Sequence, residues 1–505
     1  MPAAIGTLAS LVVLQAASAN AASTYDLLVI GGGSAGLTAA KFATTFGKSV
    51  AIIEKAKLGG DCTWTGCVPS KTLISCANAA HAARSAGRFG VSTGEVRVDY
   101  GKVMERVRAT IEKIYDEDDS PEALAKLGID TVVGQARFLA PKTLSIQRPD
   151  GTSTTLTAKD GVVIATGASP VIPNIDGLER PGGGGVPYIT YEEIFSLPEL
   201  PRALTVIGGG PIGCELGQAY ARLGSTVTIV APRLLPMLDP EAGEAMRQVL
   251  QAEGVTIETG RAVTVETGAG GRGHALTLST GKVVEGDTLL VAVGRRPVTS
   301  GMDLDKIGVK LGAHGGIQVD AQLRTGVKGV CAAGDCTGDQ QFTHYAGFQG
   351  SIAARNLLLP LTSVGTSLSV PGCTFTSPEV AHIGMTRAAA VEAFDQDKVL
   401  VVTRELKVVD RAKCAGQDGP GFIQVVTKAA SGEILGATIM APPAGELISE
   451  IAVAMHTKLK LPDLALVMHA YPTYSLPLQV MAASLYYKRL KKSAPLLAVL
   501  KKLGL

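Results

Sequence analysis

Aromatic side chains, a charge excess and long apolar runs are all scarce in this sequence. Aromatic residues make up 4% of the 505 residues, tryptophan occurs once, and the formal net charge is +2. A chain this close to neutral gives no indication of nucleic-acid binding. No uninterrupted apolar run is long enough to span a membrane. The 8 cysteines are scattered, which argues against a secreted disulfide scaffold and against a paired zinc site.

Glycine is abundant instead, with 60 residues, and the chain is long enough for roughly three or four domains. Many glycines with few aromatics are typical of an α/β protein built of strands, tight turns and helices. The segment 1–23 contains a mostly small and apolar run at residues 3–22, and the first Lys or Arg is Lys41. This segment is either an unstructured extension or a targeting peptide without the usual charged start, and we expect the fold to begin at Thr24. The sequence predicts a soluble protein and leaves the compartment open between the cytoplasm and an organelle.

Two stretches repeat one pattern of strand, glycine loop, helix and strand. In the first, the loop contains Gly31, Gly33 and Gly36 in G-x-G-x-x-G spacing, and the second strand ends at Glu54. The glycines permit a tight turn and close approach of the backbone to a pyrophosphate, whose charge the helix N-terminus favours. Glu54 stands where a carboxylate accepts a hydrogen bond from a ribose hydroxyl. The pattern predicts a dinucleotide site.

The second copy has the glycines Gly208, Gly210 and Gly213 at the same spacing. Its second strand is followed by Ala231 where the first copy has its glutamate, and Arg233 comes two residues later. Loss of the carboxylate and gain of an arginine favour a 2′-phosphate, and therefore NADPH over NADH. Two such loops predict two nucleotide sites in one chain.

Cys62 and Cys67 lie between the two copies, separated by four residues and followed by a helical-looking run. Two thiols beside a nucleotide loop suggest a redox-active disulfide, and their position near a helix N-terminus predicts a lowered pKa for both. Cys331 and Cys336 repeat this spacing, but Cys331 falls in a predicted buried strand, which favours an inert core cysteine. The remaining cysteines are predicted to be structural.

The pattern changes from about residue 370. Segments 422–427 and 434–440 predict an antiparallel hairpin, and segment 446–458 predicts an amphipathic helix. We expect a separate α+β module there.

The order of these motifs resembles the class I FAD-dependent pyridine nucleotide–disulfide oxidoreductases, which include mercuric reductase, dihydrolipoyl dehydrogenase and glutathione reductase. The resemblance rests on the two glycine loops, the Cys62–Cys67 pair with Lys71, and the Ala-Thr-Gly, Gly-Arg-Arg-Pro and Ala-Gly-Asp elements. It implies an α/β fold with two Rossmann-like domains and a C-terminal α+β dimerisation domain, and hence a homodimer. The FAD domain would be split into 24–172 and 297–368, with an NAD(P) domain at 173–296 inserted and the dimerisation domain at 369–490.

The resemblance also implies roles for individual residues. The positions that would bind FAD are Gly31, Gly33, Gly36, Glu54, Lys71, Gly134, Ala136, Thr166, Gly167 and Asp335. The positions that would bind the nicotinamide nucleotide are Gly208, Gly210, Gly213, Arg233 and Gly294. Lys71 and Glu215 match a pair near the flavin, where the lysine would stabilise the reduced cofactor. Hydride would pass from NADPH to FAD, and two electrons would pass on to the Cys62–Cys67 disulfide. Cys67 would face the flavin and Cys62 would attack the substrate.

The C-terminal segment departs from the family. Glutathione reductase and dihydrolipoyl dehydrogenase carry a His-Pro-Thr with a following Glu, which the partner subunit supplies, whereas Tyr471 and Leu476 occupy those positions here. A phenol is a poor proton shuttle at neutral pH, where an imidazole is well matched. His469 is either a substitute base or an interface residue. Mercuric reductases carry a tyrosine at this place, but their vicinal C-terminal cysteines and N-terminal C-x-x-C module have no counterpart in the sequence.

These observations predict an FAD-dependent NAD(P)H oxidoreductase that reduces a disulfide-like or thiophilic small molecule, with Hg(II) as one candidate and Tyr471 as a catalytic residue. The alternatives are an NAD(P)H:quinone or diaphorase-type electron transferase, an activity like that of dihydrolipoyl dehydrogenase or glutathione reductase, and a non-enzymatic redox sensor. The basic tail 491–505 is either an end helix that packs on the dimer or an amphipathic helix on a membrane surface.

Overall fold

The computed structural model describes residues 23–179 and 185–502, so residues 1–22 of the predicted extension lie outside the described part. The first segment of the chain alternates strands and helices and then forms an antiparallel extension. Its elements are β1 (Thr24–Ile30), α1 (Ser34–Thr45), β2 (Val50–Glu54), α2 (Gly60–Trp64), α3 (Cys67–Arg84), α4 (Tyr100–Ile114), α5 (Pro121–Lys126), β3 (Ile129–Val133), β4 (Gln135–Ala140), β5 (Thr143–Gln147), β6 (Ser153–Ile164) and β7 (Ala168–Pro170).

A second segment repeats the alternation around the second glycine loop. Its elements are β8 (Leu178–Glu179), β9 (Val186–Pro187), β10 (Ala203–Ile207), α6 (Pro211–Leu223), β11 (Thr226–Val230), α7 (Pro240–Ala252), β12 (Thr256–Glu258), β13 (Ala262–Thr267), β14 (His274–Leu278), β15 (Val283–Gly286), β16 (Thr288–Val291) and β17 (Arg295–Pro297). Strands β12, β11, β10 and β16 form a parallel sheet in that order, and β13, β14 and β15 form an antiparallel one. The glycine loop follows β10, at the carboxyl edge of the parallel sheet.

The chain then returns to the first sheet. β17 pairs with β7 where the chain crosses between the two bodies, and β18 (Val330–Ala332) pairs in parallel with β6. The first sheet therefore has seven strands, in the order β3-β2-β1-β6-β5-β4 with β18 beside β6. α8 (Thr343–Leu358) packs against α1. The first domain is thus assembled from two separated segments, which confirms the predicted split fold.

A five-stranded antiparallel sheet forms the C-terminal domain. Its elements are β19 (Gly372–Thr374), β20 (Glu379–Gly384), α9 (Arg387–Phe394), β21 (Val399–Glu405), α10 (Asp410–Cys414), β22 (Phe422–Lys428), β23 (Ile434–Ala441), α11 (Ala444–His456) and α12 (Leu476–Lys502). The predicted tail begins within α12. No helix among the described residues is both long and apolar enough to cross a membrane. Nothing in the described part of the tail supports the predicted membrane contact.

Strand β1, which leads into the first glycine loop, is buried on both faces. Leu27, Leu28 and Val29 are consecutive and each 0% exposed, so both faces of the strand are covered. Leu27 and Val29 pack with alanines of α1 and α8, whereas Leu28 packs on the opposite side with residues of β4 and β5. The predicted strands 422–427 and 434–440 agree with β22 and β23 to within one residue, and the predicted helix 446–458 agrees with α11 to within two. Helix α6 begins at Pro211, because proline is well tolerated in the first helical turn.

Candidate active site

The two glycine loops have the same backbone geometry. Gly31 and Gly208 open the loops with φ values of +104° and +125°. A Cβ on Gly36 would lie 1.9 Å from the Gly31 carbonyl oxygen, and a Cβ on Gly213 would lie 2.0 Å from that of Gly208. Only glycine fits at these positions, because any side chain would collide with the loop backbone. Each helix therefore begins directly against the end of its strand.

Both loops open into one continuous cavity of about 2450 Å³. Pockets for one small ligand are about 300–1,000 Å³, so this space accommodates more than one. Gly167, Gly210 and Gly294 have open space where a Cβ would lie, so their backbone can contact a ligand directly. The predicted cofactor positions that line the cavity are Gly31, Gly33, Glu54, Lys71, Gly134, Ala136, Thr166, Gly167, Gly208, Gly210, Arg233, Gly294 and Asp335. The predicted positions Gly36 and Gly213 do not line the cavity and instead pack on the loops. This cradle of glycine backbone and helix N-termini fits two dinucleotides.

Glu54, the last residue of β2, is held by backbone amides. Glu54 accepts hydrogen bonds from the Gly32 amide at 2.8 Å and from the Ala56 amide at 2.7 Å. Ala231 stands at the corresponding place in the second unit and is 3% exposed. Arg233 lies on the cavity wall, where its guanidinium donates to the Pro236 carbonyl. The two nucleotide sites therefore differ in charge.

Two consecutive helices, α2 and α3, bring Cys62 and Cys67 together. Cys62 lies in α2, and Cys67 is the first residue of α3. The two thiols are free and hydrogen-bonded to each other. The Thr343 hydroxyl, at the start of α8, lies 3.3 Å from Cys67 Sγ. Both cysteines line the cavity.

The two thiols have opposite electrostatic character. The hydrogen bond from Cys62 lowers the pKa of Cys67 to about 6 against the effect of burial, and Thr343 and Lys71 lower it further. The same bond to Cys67, together with burial, raises the pKa of Cys62. The prediction of a lowered pKa for both cysteines is therefore wrong for Cys62, because two neighbouring thiols share one proton. The pair holds its thiolate on Cys67 and its proton on Cys62.

Lys71 and Glu215 meet, as predicted, across the junction of the two nucleotide-binding bodies. Lys71 Nζ lies 2.8 Å from Glu215 Oε2, and the other carboxylate oxygen accepts from the Phe375 amide at 2.8 Å. The Lys71 ammonium also lies 4.5 Å from the centre of the Phe375 ring. The Glu215 side chain is 7% exposed, so this buried carboxylate fixes the position of the lysine.

An ion-pair cluster that sequence reasoning missed lies on the same wall. Arg295 Nη1 lies 2.6 Å from Asp335, Nη2 pairs with Asp61, and Nε donates to the Tyr191 hydroxyl at 3.1 Å. Burial raises the pKa of Asp335 against the effect of Arg295. The Gly-Arg-Arg-Pro element contains Arg295, but its partners are distant in sequence. One oxygen of Asp335 is thus already engaged, which leaves the other for the predicted contact with FAD.

Tyr471 does not reach the cysteines of its own chain. Its side chain is 70% exposed and lines a small separate cavity with Leu476, 3.4 Å from Asp410. The neighbouring His469 is occupied, since its Nδ1 lies 2.9 Å from the Val467 carbonyl and its Nε2 lies 2.8 Å from Glu450. With both ring nitrogens engaged, His469 is an unsuitable substitute base.

The other cysteines differ in exposure. Cys331 and Cys336 are 1% and 0% exposed, which confirms the buried position predicted for Cys331. Cys214 is also buried, whereas Cys373 lines the cavity and Cys414 is exposed. Among the described residues, no group of three or more His, Cys, Asp or Glu side chains could hold a metal ion.

Comparison with known proteins agrees with this geometry. The model of the pyridine nucleotide-disulphide oxidoreductases matches residues 25–350, and that of their dimerisation domain matches residues 370–481. The chain belongs to this family, in its class I. The family is FAD-dependent and takes electrons from NAD(P)H, and its dimerisation domain indicates a homodimer.

The relatives carry different names. The chain is 34% identical over 464 residues to the mercuric reductase of Streptomyces lividans, covering 91% of this chain and 95% of the relative. It is 33% identical over 459 residues to the dihydrolipoyl dehydrogenase of Chlorobaculum tepidum, covering 90% and 95%. The HOCl-induced flavoprotein disulfide reductase RclA of Escherichia coli is similar in structure, with a TM-score of 0.78 at 25% identity over 91% and 99% of the chains. These similarities establish an oxidoreductase and leave its substrate open.

Proposed function

We propose that this protein is a homodimeric FAD enzyme that oxidises NADPH and reduces a disulfide-like or thiophilic small molecule through Cys62 and Cys67. The observation that carries this proposal is the position of the Cys67 thiolate, which lies beside Thr343 on the wall of the cavity that both glycine loops line. FAD, when bound, supplies the two-electron link between the nicotinamide and this cysteine pair.

In this proposal the two glycine loops bind different nucleotides. Gly31 and Gly33 offer the backbone of the first loop to the FAD pyrophosphate, and Glu54 accepts from the ribose. Gly208 and Gly210 do the same for the nicotinamide nucleotide, with Arg233 placed for a 2′-phosphate. Glu215 holds the Lys71 ammonium at a fixed point, and that positive charge favours anionic species in the cavity.

The two cysteines have different roles in reducing the substrate. Cys67 keeps the thiolate, because its pKa is lowered to about 6. With a disulfide substrate, Cys62 loses its proton and attacks one sulfur, so that the substrate S–S bond breaks and the first product thiolate departs. Cys67 then attacks Cys62 Sγ, which releases the second product thiolate and forms the Cys62–Cys67 disulfide. On a thiol-bound soft metal ion, Cys62 would replace one thiolate ligand, which departs.

Hg(II) is a specific candidate within this substrate class. Thiolates are the preferred ligands of soft metal ions, and the chain is 34% identical to a protein named mercuric reductase. Tyr471, exposed on the dimerisation domain, is the phenol that a partner subunit brings to such a site in this proposal.

Cysteine substitutions separate the proposal from its alternative. The acceptors to be tested are lipoamide, glutathione disulfide and thiol-bound Hg(II). For the acceptor that the wild type reduces, we expect C62S and C67S each to lower the rate of NADPH-dependent reduction at least about a hundredfold. Reduction of a quinone should survive in both variants, and C414S, which changes an exposed cysteine outside the cavity, serves as the matched control. Full turnover of these acceptors by C62S would instead establish a diaphorase-type electron transferase.

A further inference from the structure

Neither Tyr471 nor His469 offers Cys62 a base within its own chain. Cys62 holds the proton of the thiol pair, Tyr471 lies outside the cavity, and both ring nitrogens of His469 are engaged. We propose that His344 of the same chain is the general base and acid for Cys62 in thiol interchange. This inference rests on the proposed function, because it concerns the step in which Cys62 attacks the substrate.

His344 is the chain neighbour of a residue that contacts the thiol pair. It is the second residue of α8, directly after Thr343, whose hydroxyl lies 3.3 Å from Cys67 Sγ. The Thr343 side chain also hydrogen-bonds Cys62, so the residue directly before His344 contacts both thiols. His344 is exposed and lines the same cavity as Cys62. His344 and Cys62 therefore open onto the same cavity, in which a substrate of Cys62 must lie.

Two contacts hold the ring in one orientation. The His344 ring stacks on Phe342 with centroids 5.5 Å apart and an interplanar angle of 20°. Its Nε2 lies 2.8 Å from the Pro371 carbonyl oxygen. A carbonyl only accepts hydrogen bonds, so Nε2 carries the hydrogen and the neutral ring has its lone pair on Nδ1. Nδ1 has no partner among the described residues, which leaves a positioned, unoccupied base.

The other imidazoles of the cavity do not meet these conditions. The histidines that line it are His314, His344 and His382. His382 is largely buried against Phe342, and burial lowers its pKa. His314 is exposed, but no ring contact or hydrogen bond orients it within the described part of the chain. Of the three, only His344 is exposed, held in one orientation and preceded in the chain by a residue that contacts the thiols.

The proposed step is balanced in protons and electrons. His344 Nδ1 takes the proton of the Cys62 thiol, and the Cys62 thiolate forms a bond to one sulfur of a disulfide substrate as the substrate S–S bond breaks. The departing thiolate receives the proton from Nδ1. The Cys67 thiolate then attacks Cys62 Sγ and releases the second substrate thiolate, which takes its proton from solvent. The substrate gains two electrons, and the cysteine pair is oxidised to its disulfide.

Alkylation of the reduced holoenzyme tests this role without a known substrate. The enzyme is reduced with excess NADPH under argon and treated with iodoacetamide, and the alkylation rates of Cys62 and Cys67 are followed by peptide mass. We expect H344Q to slow alkylation of Cys62 at least about tenfold and to leave Cys67 unchanged. Glutamine retains a donor for Pro371 but lacks the basic nitrogen. H314Q, an exposed histidine of the same cavity, should alter neither rate more than about twofold.

Imidazole rescue distinguishes a base from a structural residue. Oxidation of the reduced enzyme by lipoamide in a single turnover should be about a hundredfold slower in H344Q and H344A than in the wild type. Free imidazole should restore both this oxidation and the alkylation of Cys62 in H344A. Reduction by NADPH should proceed at the wild-type rate in both variants. An unchanged Cys62 rate in H344Q, or no rescue of H344A, would overturn the role of His344. If NADPH liberates no alkylatable thiols in the wild type, the proposed function itself fails.

Discussion

The hydroxyl of Thr343 offers a direct test of what stabilises the Cys67 thiolate. T343V removes an oxygen 3.3 Å from Cys67 Sγ and keeps the volume of the side chain. A hydrogen bond to a charged group contributes about 1.5–3 kcal/mol, and one pKa unit corresponds to about 1.4 kcal/mol. The pKa of Cys67, which is about 6 in the structure, should therefore rise by roughly one to two units in T343V.

The assay is the pH dependence of Cys67 alkylation in the reduced enzyme, read by peptide mass. T343S retains the hydroxyl and is the matched control, with an expected pKa close to that of the wild type. If the Cys67 pKa in T343V stays within about 0.3 units of the wild-type value, Thr343 does not stabilise the thiolate. The lowered pKa would then have to come from Cys62 and Lys71 alone.

Three further predictions concern other parts of the molecule. R233A should reduce the preference for NADPH over NADH about tenfold, measured as the ratio of kcat/KM values, and equal values in the wild type would refute the role of Arg233. Y471H should raise turnover of small disulfides, because an imidazole moves protons at neutral pH more readily than a phenol, and no change would show that Tyr471 is not at the substrate face. His274 is 2% exposed, and burial lowers its pKa to about 4. As the pH falls below about 6.5, His274 takes up a proton in the unfolded chain but stays neutral in the folded chain. The free energy of unfolding therefore falls as the pH drops from about 6.5 to about 4. Between pH 7 and pH 5, the free energy of unfolding should fall by about 2 kcal/mol less in H274L than in the wild type. An equal fall in the wild type and H274L would contradict this account.

The sequence predicts those parts of the site that depend on local chain geometry. The glycine loops are recognisable because Gly31 and Gly36 are constrained by their own loop. The position of Cys67 at the start of a helix follows equally from its neighbours.

Contacts between distant residues could not be read from the sequence. Thr343 reaches Cys67 across 276 residues, and Arg295 reaches Asp61 across 234. The raised pKa of Cys62 depends on which thiol donates to the other, a property of their mutual placement rather than of either helix. The engagement of His469 by Glu450 likewise depends on how α11 packs beside the C-terminal loop.

The number of electrons that the protein accepts from NADPH tests the central claim most directly. In an anaerobic titration, the wild-type holoenzyme should take up four electrons per chain, two for FAD and two for the Cys62–Cys67 disulfide, whereas C67S should take up two. Uptake of only two electrons by the wild type, with no thiols liberated, would contradict a working redox disulfide at this site.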